Sequence, residues 1–218
     1  MPCLALAATL AAVFGAAPTL TYHPPDDEDE RPMATSVTVG PQGSDFAFRV
    51  EFNQAPWGEA CKNRCANTTL YLDTDGDANT GLQLGKGAPE TGADLAITIQ
   101  GTREYKETSS QMVLRARVRL LVGGATHADE GEPLLEMDNR REAERLHCEG
   151  NVVYALVDGT DSRIPMGRTM RVIYHPPGAK AMVGKVKGLM SGGGGAIEIF
   201  RKGKSESRRK KAPPPDAK

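Results

Sequence analysis

The sequence predicts an all-β protein, an antiparallel β-sandwich of jelly-roll or Ig-like type with disordered termini. Three observations carry that reading. Phe46, Phe48, Val50 and Phe52 alternate with Asp45, Ala47, Arg49 and Glu51, the period of a half-buried strand. Residues 112–122 repeat the pattern, with Leu114, Ala116, Val118 and Leu120 inward and Arg115, Arg117 and Arg119 outward. Between such short runs lie turns drawn from 24 glycines and 15 prolines, without an intervening helical period. A chain of 218 residues suffices for one sandwich with tails, and a hydrophobic share of 39% implies a modest core.

In chain order, residues 1–17 are an uncharged Ala/Leu run too short for a comfortable membrane span. They fit the apolar region of a secretory signal, although no Lys or Arg precedes it. The expectation is a secreted or periplasmic protein with no transmembrane span once the signal is removed. Residues 18–32 contain five consecutive acids among prolines and read as a solvated linker. The sandwich is assigned to 33–200, with strands at 36–39, 46–52, 68–73, 93–101, 112–122, 134–137, 144–148, 151–157, 169–175 and 196–200. Residues 53–65 form a loop or short helix, and 125–133 a polar loop. Residues 180–195, which end in four glycines, read as a flexible hinge or long turn. Residues 201–218 hold eight basic and two acidic side chains and read as a basic disordered tail.

The stretch most informative about chemistry is Leu72-Asp73-Thr74-Asp75-Gly76-Asp77-Ala78-Asn79-Thr80-Gly81. Its carboxylates at alternate positions, followed by an amide oxygen, can converge on a hard cation if the backbone curls, and Ca²⁺ is the expected ion. Counted from Asp73, an EF-hand would need Gly at the sixth position and Glu at the twelfth; Ala78 and Leu84 stand there. The flanks read as strands, so the loop joins strand to strand. The competing reading is an ordinary Asp/Asn/Gly turn.

A strand ending in Leu70-Tyr71-Leu72-Asp73-Thr74-Asp75-Gly76-Asp77, then Asn79-Thr80-Gly81, a glycine-rich stretch and Gly92-Ala93-Asp94-Leu95, resembles secreted β-sandwich domains. These are similar to family-nine carbohydrate-binding modules and related calcium-bearing domains of bacterial extracellular proteins. The resemblance spans roughly residues 35–175, with its specific motifs at 69–95. It implies a structural calcium held by Asp73, Asp75 and Asp77, with Asp94 nearby. Asn79 or a backbone carbonyl would complete the shell.

With 27 basic and 28 acidic residues the net charge is −1, so neither nucleic acid nor membrane is attracted globally. No specific nucleic-acid binding is expected. Cys61, Cys65 and Cys148 are disulfide candidates: Cys61 and Cys65 can close on each other, or one can reach Cys148. A zinc site from these three and His147 matches no common module. Neither Gly-x-Ser-x-Gly nor His-Glu-x-x-His occurs, and Asp158 and Asp161 lie in what reads as a polar turn. The expectation is therefore a non-catalytic module; the alternative is an enzyme or accessory subunit of a carbohydrate-active hydrolase. Trp57, the single Trp, and Arg115, Arg117 and Arg119 form the candidate face for a polysaccharide or envelope ligand. The plain alternative for the arginines is a solubilised outer strand face.

Overall fold

A computed structural model of the protein describes residues 19–23, 31–57, 65–85, 91–106, 109–121, 125–165, 168–176, 180–187 and 198–199. The signal-like run, the acidic part of the linker, Cys61 and the basic tail lie outside the described residues. Twelve strands follow in chain order: β1 (Thr19–Thr21), β2 (Ala34–Gln42), β3 (Asp45–Phe52), β4 (Asn67–Asp73), β5 (Leu95–Lys106), β6 (Ser109–Leu120), β7 (Glu132–Asp138), β8 (Leu146–Glu149), β9 (Val152–Asp158), β10 (Thr169–Tyr174), β11 (Met182–Lys187) and β12 (Glu198–Ile199). Two antiparallel sheets pack face to face. One has the order β1-β2-β3-β9-β8, the other β12-β11-β10-β4-β5-β6-β7.

The alternation read in the sequence sets the inner faces. Phe46, Phe48, Val50 and Phe52 from β3 meet Leu70 and Leu72 from β4, Ile97 and Ile99 from β5, and Leu114, Ala116 and Val118 from β6 in one buried cluster. Truncating one of these large side chains to Ala costs roughly 2–5 kcal/mol, from lost transfer energy and the cavity left behind. Tyr174 ties the sheets together through its hydroxyl, which donates to the Ala34 carbonyl at 3.1 Å. Burial pushes that phenol above its ordinary pKa.

Two strands stand where the sequence predicts none. Thr19–Thr21, assigned to the linker, pairs with Ser36–Thr38. Met182–Lys187, assigned to the glycine-rich hinge, pairs along its whole length with β10. Each has too few apolar residues for the pattern to register; β11 buries Gly184 and Val186, and its stability comes from the neighbour it pairs with. The β5–β6 hairpin also runs longer than predicted, in register from Leu95↔Leu120 to Lys106↔Ser109. Pairing of β10 with β4 places Arg171 opposite Asp73, a juxtaposition across 98 residues that no local pattern announces.

Candidate metal centre and an adjoining polar groove

Asp73 ends β4 on the outer side of the seven-stranded sheet, and the chain then curls back over that side. Gly81 and Gly92 allow the curl. Both have positive φ, +63° and +51°, which only glycine adopts without strain. A methyl at Gly81 would collide with the Ala93 carbonyl, and one at Gly92 with the Asp77 carbonyl. The two arms meet in a Leu82↔Ala93 bridge with hydrogen bonds of 2.7 and 3.0 Å. Asp94 is pinned beside β4 by its own N–H, which donates to the Leu72 carbonyl at 2.8 Å.

This closure brings one carboxylate oxygen each from Asp73, Asp75 and Asp94 within 4.8 Å of one another. Among the described residues it is the one group of acidic, His or Cys side chains gathered in this way, and it can hold a metal ion. Asp73 is fully buried, Asp94 half-buried and Asp75 exposed. The Asp73 Oδ1 accepts the Gly76 N–H at 2.6 Å, and its Oδ2 takes the Arg171 guanidinium through Nε and Nη2. Arg171 also donates to the Thr91 carbonyl at 3.1 Å, so it laces both arms of the loop to β10. Asp94 Oδ2 accepts the Thr74 N–H and hydroxyl at 2.7 and 2.8 Å. Asp75 accepts the Asp77 N–H at 2.7 Å and the Thr80 hydroxyl at 2.9 Å.

Burial raises the Asp73 carboxyl above its usual range, against the lowering effects of the Gly76 N–H and Arg171. Asp75 moves the other way, held down chiefly by the Asp77 N–H. Among the described residues, three carboxylates thus face one guanidinium. The excess of negative charge matches a divalent cation, and the all-oxygen donor set suits a hard one.

The other two residues expected as ligands stand aside from this triad. Asp77 Oδ1 accepts both the backbone N–H and the side-chain amide of Asn79, each at 2.9 Å. Asp77 Oδ2 and Asn79 Oδ1 make no hydrogen bond among the described residues. Arg171 and Thr91 complete the centre and escaped the sequence reading, since each lies in an unremarkable local context.

Beside the loop, on the same outer sheet face, runs a groove of about 530 Å³. Strand register explains it. Asn67 lies opposite Gln100, and Thr69 opposite Thr98. Gln100 lies opposite Arg115, and Thr98 opposite Arg117. Short threonines, hydrogen-bonded to each other at 3.1 Å, make the floor, and longer side chains rise on either side. One end is lined by Tyr71 and by His127, Ala128 and Asp129 at the 3-10 turn. Tyr71 packs with Leu82, Leu84, Ala93, Ala96, Leu121 and Ala128 in a small apolar cluster outside the main core. Burial, and secondarily the charge of Asp129, raise its phenol pKa.

The three arginines do point outward, as the alternation predicts, but they are not equivalent. Arg115 pairs with Glu104 and lies 3.7 Å from Glu136. Arg117 reaches the same exposed Glu136 at 3.3 Å. Arg119 donates to the Gly131 carbonyl at 2.9 Å and makes no ion pair among the described residues. Arg117 and Arg119 line the groove.

Trp57 does not join them. It is half-buried and packs against the main core, with its Cβ beside Gly101, apart from the groove that Arg117 and Arg119 line. Cys148 is a free thiol, which removes it as the disulfide partner of Cys65; burial pushes its pKa up to about 11. His147 stacks on Tyr154 at 5.0 Å and is lowered by burial. No helix among the described residues is long and apolar enough to cross a membrane.

No family model matches the chain, and neither a curated protein nor a solved structure matches it.

Proposed function

We propose that the protein is a non-catalytic, exported β-sandwich binding module whose 73–94 loop is closed by Ca²⁺ and which recognises an extracellular or envelope ligand of glycan type. The observation that carries the metal reading is the Asp73–Asp75–Asp94 triad, with three carboxylates against the single Arg171. Ca²⁺ accepts six to eight oxygens in flexible geometry, so carbonyls, waters or the open oxygens of Asp77 and Asn79 fill the remaining positions. Mg²⁺, which demands near-octahedral geometry, substitutes poorly. The ion's part is structural: it neutralises charge that folding concentrates and fixes the loop against β4. The motifs at 69–95 support kinship with the calcium-bearing secreted sandwich domains.

Export is supported by the Ala/Leu run at 1–17 and by the cysteines. Among the described residues Cys148 is a free thiol, which leaves Cys61 as the partner for Cys65. Intact-mass analysis of protein from its natural host, with and without reductant, checks both: a full-length chain with all four thiols free overturns export.

Calorimetry and thermal unfolding test the metal. Ca²⁺ at 100 times its Kd should add about 2.7 kcal/mol by binding only the folded state. Asp75→Ala should abolish the difference between calcium and chelator, while leaving the fold intact because Asp75 is exposed. Absence of calcium binding up to millimolar concentration reduces the loop to a polar turn.

A further inference from the structure

We infer that the groove on the outer face of β4, β5 and β6 is a binding site for an acidic oligosaccharide, with Arg117 and Arg119 taking its anionic group and Asn67, Gln100 and Tyr71 its hydroxyls. This assigns a site and a ligand class, and so rests on the reading of the protein as a binding module.

The chemistry of the lining selects the class. Among ten lining residues only Ala128 is wholly apolar, so the groove offers nothing to an aliphatic ligand. It offers planar amides, hydroxyls, a guanidinium pair, an imidazole and a carboxylate, groups that satisfy a ligand dense in hydroxyls. Asn67, Gln100, Tyr71 and His127 make no side-chain hydrogen bond among the described residues. Their donors and acceptors are therefore not used up in holding the fold, unlike those of Thr69 and Thr98 on the floor. The paired Asn67 and Gln100 extend one row of amides across two strands, while Tyr71 supplies a ring at the other end.

The charge selects an acidic member of that class. The tether of Arg119 to Gly131 fixes its guanidinium while occupying one of five donors, and no carboxylate among the described residues pairs with it. Arg117 stands two residues away, on the same face of the same strand, roughly 7 Å along it. Its partner Glu136 is exposed and shared with Arg115. Asp129, on the turn that lines the groove, disfavours a fully anionic polymer and suits a ligand that alternates charge with hydroxyls. A carboxylate and a sulfate fit the guanidinium pair alike.

Titration calorimetry of the full chain in calcium tests this with three hexasaccharides: hyaluronan, with carboxylates; heparin, with sulfates as well; and chitohexaose, neutral. Binding of hyaluronan or heparin is expected, and which binds tighter identifies the anionic group. Arg119→Ala should weaken that binding about tenfold or more, as loss of a charge-assisted contact does, and Arg119→Lys should restore part of it. Gln100→Leu, which keeps every arginine, should also weaken it. Equal or tighter binding of chitohexaose overturns the anionic assignment. Equally tight binding of inorganic polyphosphate or single-stranded DNA shows a general polyanion surface and overturns the sugar assignment. If no hexasaccharide binds while the calcium response is intact, the groove assignment falls and the metal centre stands.

Discussion

Among the described residues of the 73–94 loop and its neighbours, three carboxylates face a single guanidinium, whereas across the arginine face nearly every charge has a counter-charge supplied by the fold. Both regions begin as the same sequence device, one sign of charge repeated at every second residue. On the arginine face, Arg115 engages Glu104 and Glu136, and Arg140 engages Glu104 and Asp138 across neighbouring strands. That network closes on itself and leaves only the Arg119 end open. In the loop, Arg171 pairs with Asp73, and among the described residues Asp75 and Asp94 are met by N–H and hydroxyl donors without full positive charge. The difference locates where each region calls for an outside partner: a cation at the loop, an anion at the Arg119 end of the groove.

Several substitutions strain this contrast, beginning with the largest effect. Arg171→Met leaves Asp73 buried and unpaired, so metal-free protein should lose about 3 kcal/mol in urea unfolding. Saturating calcium should recover part of it. An unchanged midpoint would mean Arg171 is not the loop's internal counter-charge. Gly81→Ala forces a methyl into the Ala93 carbonyl at positive φ and should cost roughly 2 kcal/mol or more, with weakened calcium affinity. Calcium affinity equal to that of the parent chain would detach the loop's closure from the metal.

The two regions should also answer pH with opposite signs. Asp138 is held down at about 2 by Arg140, so it stabilises the fold above pH 4, and that contribution is lost as pH falls from about 4 to 2. Asp73 is raised by burial, so its contribution is present below about pH 4 and lost as pH rises through its folded pKa. In chelator, Asp138→Asn should remove the acid-side loss, while Asp73→Asn should remove the loss on the rising side. Urea midpoints between pH 2 and 6 measure both, and same-sign slopes would break the comparison. The smallest effect is on the arginine face itself. Arg115→Leu should cost at most about 1 kcal/mol, because its partners are part-exposed. Arg119→Ala should change stability less than Arg115→Leu, since it breaks no ion pair there. The reverse order would place the closed charge network at the wrong end.

Much of the sandwich was readable because an antiparallel sheet with one buried face writes its geometry into a period of two. β3 and β6 announced themselves in this way, and the outward direction of Arg115, Arg117 and Arg119 came with them. β1 and β11 did not, because strands that bury little are stabilised by pairing, and pairing partners leave no mark in local sequence. The place of Trp57 was not legible for a related reason: an aromatic ring in a loop serves a ligand or a core equally well until its neighbours are known.

The sequence by itself determined that the chain is a β-sandwich and that Asp73, Asp75 and Asp77 lie in one oxygen-rich loop; that Asp94 joins Asp73 and Asp75 was decided by the fold. Alternation, glycine placement and short acidic side chains act over a few residues, within the range that local pattern records. Only the tertiary structure decided that Arg171 faces Asp73, that Asp77 turns to Asn79, and that Cys148 stays a thiol. It also decided that Asn67, Gln100, Arg117 and Arg119 share one groove. Those outcomes depend on which strands become neighbours and in what register, and register is set by burying the whole core at once.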